Sequence, residues 1–408
     1  MLKSQFHNLV VFLIGVSFYT HANASDSLKT DKPVFQYKNG LGVVAPDSLF
    51  SINFRFRVQT RAAYTSNSTE DLSASQIEAR VRRLRLRFEG FILNPKLNYY
   101  IQLSVSRGDM DWEVRDNALN NSSPNIVRDA VITYKANKKL NLLFGQTKLP
   151  GNRQRVVSSG EQQFAERSIV NATFNIDRDF GLQARYFDHF GNFHYALKGA
   201  ITSGEGRNSN ASNGGLAYTS RLELLPLGKF TNKGDDFEGD LEREKTPKIS
   251  LAATYHYNDQ AVRTAGTLGK DLYNTRNLGS FMADVLFKYR GFCLYSEYIT
   301  RETPNPVTTS AALTRHVYVG NGFLTQISYC FPNKFEIAGR YARINPTKSI
   351  QSLDLQKEET GFGVSKYLNN HRVKVQANVF YLRDENLSKP VSTTNERWSA
   401  IFQIELGI

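Results

Sequence analysis

The sequence predicts an all-β chain, a 16-stranded antiparallel transmembrane β-barrel with an inward-folded third external loop. Three observations carry that expectation. Apolar and polar residues alternate with period 2 over most of the chain, the alternating segments number sixteen, and their connections are by turns long and short. An even number of segments, each of about ten residues or more, is what closure within a bilayer requires.

Composition excludes other classes. The 408 residues carry 51 Lys plus Arg against 38 Asp plus Glu, a net charge of +13, and their mean hydropathy is −0.42. That hydropathy, with 22% charged residues, rules out a bundle of spanning helices, each of which needs about 20 consecutive apolar residues. Two cysteines are too few for a disulfide scaffold, and 20 Tyr with 27 Phe argue against disorder. A barrel reconciles low hydropathy with a membrane, since only alternate strand residues meet lipid.

At the N-terminus, Lys3, the apolar run from Leu9 to Tyr19 and Ala22-Asn23-Ala24 form a secretory signal, residues 1–24, with cleavage expected after Ala24. Removing it takes away Lys3 alone among the charged residues, so the mature chain carries +12. Export makes nucleic acid an unexpected partner. Residues 25–47 read as a polar periplasmic or lumen-entering lead, and residues 48–408 as the barrel domain.

In order, the expected strands are 49–63, 79–93, 97–107, 126–136, 139–147, 178–189, 192–202, 215–226, 247–258, 278–290, 292–302, 317–331, 334–345, 356–367, 371–383 and 395–408. The first places Ile52, Phe54, Phe56 and Val58 on one face and Arg55, Arg57, Gln59 and Arg61 on the other. In the second, Leu84, Leu86, Phe88 and Ile92 oppose Arg83, Arg85, Arg87 and Glu89. Three lipid-facing arginines on one strand would cost roughly 6–12 kcal/mol at about 2–4 each, comparable with a whole domain's stability. The arginine faces therefore point into a wet lumen. Short connections such as Asn94-Pro95-Lys96, Gly291 and Asn369-Asn370 fall on the periplasmic side and long ones outside. Residues 227–246 are the exception, long and charged where a short turn belongs.

The longest connection, 148–177, is the third external loop and carries Lys148, Arg153, Arg155 and Arg167. Folded inward, it would narrow a sixteen-stranded channel, and a constriction lined by Arg and Lys selects anions. Guanidinium suits an oxyanion because its fork donates two parallel hydrogen bonds and stays charged. The competing structural reading is that these arginines pair with carboxylates on neighbouring strands. Six inward Arg against one inward Glu on the first two strands favour the anion reading.

From about residue 36 to its end the chain resembles the phosphate-selective porins of the O and P type. The resemblance rests on 37–62 (YKNGLGVVAPDSLFSINFRFRVQTRA), 81–90 (VRRLRLRFEG) and above all 144–183, which contains FGQTKLPGNRQRV and ERSIVNATFNIDRDFGLQ. It implies a homotrimeric outer-membrane channel with an arginine ladder and an inward third loop. By position, Arg57 is the first-strand arginine, Arg82 and Arg83 the pair near the constriction, and Lys148 the lysine opening the loop. Strict alternation puts Arg82 on the lipid side, and a bulge there would turn both arginines inward.

No catalytic set or metal-ligand spacing is present, so neither an enzyme nor a cofactor is expected. An acidic group, Asp109, Asp111 and Glu113, sits in the second external loop. Cys293 and Cys330 lie near one rim on the lumen parity, where a cross-strand disulfide and two free thiols are both open outcomes. The expected partners are outer-membrane lipid and small anions such as phosphate, crossing by passive diffusion. Two alternatives stay open: a channel for larger acidic solutes (polyphosphate, acidic sugars), and a plugged barrel that acts as a surface-binding protein.

Overall fold

The computed structural model describes residues 33–37, 40–106, 126–209, 214–311, 313–388 and 393–408. The expected signal 1–24 and the group Asp109, Asp111 and Glu113 lie outside the described residues.

A short hairpin, β1 (Val34–Gln36) and β2 (Leu41–Val44), precedes the barrel. The wall then follows as β3 (Ser51–Ser66), β4 (Ala74–Ile92), β5 (Asn94–Ser104), β6 (Val127–Lys135), β7 (Leu140–Lys148), β8 (Arg178–Phe190), β9 (Phe193–Thr202) and β10 (Ala217–Leu225). It continues with β11 (Lys248–Arg263), β12 (Asp271–Tyr289) and β13 (Phe292–Glu302). A small hairpin of β14 (Val307–Ser310) and β15 (Leu313–His316) intervenes in a loop, before β16 (Gly320–Cys330), β17 (Phe335–Pro346), β18 (Gln356–Asn369), β19 (Val373–Asn386) and β20 (Thr393–Gly407). Neighbouring wall strands pair antiparallel, and β20 pairs with β3 from Ser399 opposite Thr65 to Gly407 opposite Arg57, closing a ring of sixteen strands. On the same edge of β3, below the end of β20, β2 pairs Leu41 with Phe54 and Val44 with Ser51. Closure leaves the wall no free strand edge.

Alternation sets the two faces. On β20, Phe402, Ile404 and Leu406 are exposed outward, while Gln403 and Glu405 between them are fully buried. Leu142 and Phe144 on β7, Phe180 and Leu182 on β8, and Phe323 and Ile327 on β16 continue the apolar outer face. Such an apolar outer band over a polar interior is what a bilayer-spanning barrel presents.

Strand ends differ from the sequence reading where polarity hid the pattern. β3 and β4 keep pairing through Tyr64 opposite Ile77 to Ser66 opposite Ala74, which leaves only residues 67–73 as the first loop. Backbone pairing continues there without apolar residues to mark it. Asn94 and Pro95 were expected to form a turn but begin β5, where a proline is tolerated at a strand's first residues. The turn is Leu93, at φ 66°. Between β3 and β4 the register runs from Gln59 opposite Arg83 to Thr60 opposite Val81, so Arg82 is the extra residue of a bulge.

Cys293 and Cys330 do not form the disulfide considered above, and both thiols are free and buried. The register explains why: Cys293 faces Ser328, not Cys330. A diagonal offset of two residues separates the Cα atoms by about 7–8 Å, beyond the span of a relaxed disulfide. Alkylation of denatured, unreduced protein is therefore expected to add two adducts per chain, with no change when reductant is present. A mass without adducts would show that the bridge exists.

Candidate ion pathway

The third loop, residues 149–177, starts from a closed neck. Leu149 N donates to Asp177 O at 3.0 Å, Arg155 Nε reaches Asp177 Oδ1 at 2.6 Å, and Arg178 joins Asp177 (3.1 Å) to Asp129 of β6 (2.9 Å). From there the segment reaches strands on opposite sides of the ring, which only a path through the bore allows. Asn152 donates to Glu297 of β13 at 3.0 Å. Two short helices follow, α1 (Arg153–Val156) and α2 (Ile169–Phe174). Gln163 donates to Glu336 of β17 at 2.8 Å, Ala165 N donates to Asn378 of β19 at 2.9 Å, and Glu166 meets β3 and β4.

The loop carries its own apolar anchors. Val170 and Phe174 are fully buried in a cluster with Met282, Ile299 and Leu324, and Phe164, also fully buried, packs against Phe380 at a ring distance of 5.7 Å. Arg340 lies 4.0 Å over the Phe164 ring, a desolvated cation–π contact. The loop presses closely on the β3/β20 seam: a Cβ at Gly160 would lie 2.0 Å from Arg57 Nη1 and 2.4 Å from Glu405 Oε1, so a larger residue there would displace those side-chain ends.

The eleven basic residues singled out from the sequence separate into two groups. One group holds the loop. Arg61 (2.5 Å), Arg82 (2.6 Å) and Arg83 (3.0 Å) converge on the single carboxylate of Glu166. Burial opposes ionisation of that carboxyl, but Arg83, Arg82 and Arg61 outweigh it and hold its pKa below the usual range. A depressed carboxylate of this kind stabilises the fold above its unfolded pKa and loses that contribution only as pH falls through the lower folded value. Arg153 is also structural: its Nε bonds Asp284 of β12 at 2.6 Å and its Nη2 bonds Ser250 of β11 at 2.6 Å, so it does not reach the open bore. Arg155 is bonded to Asp177, and Arg167 donates to Gln154 O (2.7 Å) and Val157 O (2.8 Å).

The second group lines open space. Arg55, Arg57, Arg85 and Arg87 border a small cavity of about 80 Å³ with Ser158, Gly160, Glu161, Arg372 and Glu405. Arg57 and Arg85 also tie the loop to the wall, Arg57 through Ser158 Oγ (3.1 Å) and Ser159 Oγ (2.7 Å), Arg85 through Ser159 Oγ (3.1 Å). Register sets Arg55 opposite Arg87 and Arg57 opposite Arg85, an arrangement of like charges that costs stability. Next to it lies a cavity of about 320 Å³, bordered by Arg85, Arg87, Lys148, Arg178, Arg185, Lys198 and Arg221 against only two carboxylates, Asp129 and Glu223. Lys148, for its part, donates to Val156 O at 2.7 Å on the loop edge.

Sequence reasoning missed Arg178, Arg185, Lys198, Arg221 and Arg372. Cross-strand register lines up three of them: Arg185 of β8 faces Lys198 of β9, which faces Arg221 of β10. Glu223 partly compensates, at 2.6 Å from both Lys198 and Arg221. Each strand contributes one basic residue to this row, too few to stand out in a single segment. The signal that could have found them is the alternation of β8 and β9, where Gln183, Arg185 and Lys198 fall on the inward parity. Together the two cavities border a cationic track along β3–β10. One unit anion about 4 Å from one guanidinium gains roughly 4 kcal/mol at an effective dielectric near 20. Several such positions in series allow entry and release.

The described chain superposes on solved barrels at low sequence identity. The loop L8 deletion mutant of OmpT, an outer membrane protein of Vibrio cholerae, gives a TM-score of 0.54 at 12% identity, over 88% of this chain and 100% of that one. The anion-selective porin from Comamonas acidovorans gives 0.52 at 12% identity, over 88% and 100%. OmpT of Vibrio cholerae in its trimer form gives 0.52 at 10%, over 87% and 99%. These likenesses concern the architecture. No curated protein matches the chain in sequence. The family model of phosphate-selective porin O and P matches residues 50–401, which takes in β3 to β19 whole, the larger part of β20 and the third loop. The chain therefore belongs to the phosphate-selective porin O and P family and is a porin of the bacterial outer membrane.

Proposed function

We propose that this porin passes small oxyanions, phosphate among them, by passive diffusion along the cationic track, and that it does so as a homotrimer. The observation that carries the reading is the larger cavity, with seven basic side chains at its border and two acidic ones. Arg55 facing Arg87 and Arg57 facing Arg85 support it further, because an unfavourable pairing persists where the site uses it. The Comamonas porin's description as anion-selective and the trimer form of OmpT agree with the reading. The guanidinium fork is what favours phosphate-like oxygens over a spherical halide.

The sign of the reversal potential in a KCl gradient tests the first part. Purified protein in a planar bilayer is expected to show anion preference, and a cation-selective or silent channel would overturn the proposal, silence favouring a plugged, surface-binding barrel instead. Arg87→Ala and Arg185→Ala are each expected to lower the anion-to-cation permeability ratio about two- to fivefold, the equivalent of roughly 0.4–1 kcal/mol for one screened charge. Unchanged ratios in both folded variants would make these arginines structural. Inorganic phosphate is expected to block chloride current at lower concentration than sulfate does. Stronger block by pyrophosphate or longer polyphosphate than by phosphate would shift the substrate class to larger acidic solutes.

A further inference from the structure

We infer that the periplasmic connection between β10 and β11, residues 226–247, is a second half of the constriction: it enters the bore from below, clasps the third loop through Glu238, and so fixes the loop edge that faces the arginine wall. The inference rests on the two open cavities being the conducting path.

Other connections on that side are as short as residues 191–192 and 290–291. This one is long, and it is buried: Phe230, Glu238, Asp240 and Glu244 are each at most 5% exposed. Its base is anchored on the wall. Asp240 Oδ2 accepts from Gly291 N at 2.6 Å. Lys288 of β12, fully buried, donates to Gly234 O (2.6 Å) and Phe237 O (2.8 Å) and sits 4.1 Å over the Phe237 ring. Phe230 joins the same apolar cluster that receives Val170 and Phe174 of the third loop.

The upper end grips the loop itself. Glu238 N donates to Glu161 O at 2.9 Å, while its carboxylate accepts from Gln163 N (3.0 Å), Gln154 Nε2 (3.4 Å) and Gln326 Nε2 of β16 (3.2 Å). Arg153 Nη1 adds a bond to Asp235 O at 3.0 Å. Gly239, at φ 71°, passes so close to the wall that a Cβ would lie 2.4 Å from Glu336 Oε1. Glu161 is the decisive contact, because the residue that Glu238 holds also borders the small cavity with Arg55, Arg57, Arg85 and Arg87. A buried carboxylate accepting from three separate donors is costly to remove from one place to another, so the loop edge is pinned from beneath as well as from the β3/β20 seam. Glu238 is a positioning residue, acting on the path through Glu161 and Gln163.

The test uses the full-length protein in planar bilayers, with heat-dependent gel mobility reporting barrel folding. Replacing residues 227–246 by an Asn-Gly hairpin turn should raise single-channel conductance roughly two- to threefold and lower anion preference, since the unsupported loop no longer confines ions to the cationic wall. Glu238→Ala should move both readings in the same direction by less. Glu238→Gln, which keeps one acceptor oxygen for Gln163 N, should stay near the parent channel. Folded variants with parental conductance and selectivity would overturn the inference, and should the replacement fail to fold, Glu238→Ala alone decides. A cation-selective parent whose conductance still rises on replacement would sink the anion reading and leave this one standing. An anion-selective parent indifferent to both changes would do the reverse.

Discussion

A guanidinium cannot be left facing hydrocarbon, and almost everything in this molecule follows from that constraint. With side chains pointing alternately in and out of a closed wall, the charged residues in the middle of the strands are sent into the bore. Basic residues placed at every second position of β3 and β4 therefore accumulate where they repel one another. Two remedies are visible. Some arginines take protein carboxylates as partners, as Arg61, Arg82 and Arg83 take Glu166. Others, around the cavity bordered by Arg85, Arg87, Arg185 and Lys198, remain in excess over their carboxylates.

The same chemistry thus serves two ends, and position decides which. Where the third loop lies against the wall, water is excluded and a charge must be matched: Arg153 with Asp284, both nearly inaccessible, is such a pair. Where the loop leaves the wall uncovered, water supplies the missing solvation and imbalance is tolerable. The bore is accordingly divided into a packed sector along β11–β20 that reaches the part of β3 and β4 where Arg61 and Arg83 meet Glu166, and a wet, positive sector along the rest of β3–β10. The division is made by the loop and by the connection that meets it from below.

Much of the architecture was legible because it depends on local pattern. All sixteen strands, the parity of Arg55, Arg57 and Arg61, and the anomalous length of 227–246 can be read from neighbours in the chain. What escaped depends on partners distant in sequence. The row Arg185, Lys198 and Arg221 exists only once three strands are in register. Cys293 and Cys330 share a rim and a parity, yet a two-residue offset keeps them apart. Arg153 sits in the most basic stretch of the loop, but Asp284, on a strand far along the chain, withdraws it from the path. Charge counting along a segment gives the sign of a lumen and says little about which charges are already answered.

The seam between β20 and β3 joins the two ends of the wall, and the tip of the third loop lies across it. Gln59 of β3 donates both to Glu405 of β20 (2.8 Å) and to Ser159 O of the loop (3.2 Å), while Arg57 bonds the Ser158 and Ser159 hydroxyls and stands 3.6 Å from Glu405. The loop therefore behaves as an internal ligand with affinity for the closed ring. By thermodynamic reciprocity, whatever favours the loop inside also favours the last strand beside the first, by the same free energy. Circularity and constriction are in this barrel a single equilibrium, so the segment that narrows the bore is also one of the fastenings that make it a bore.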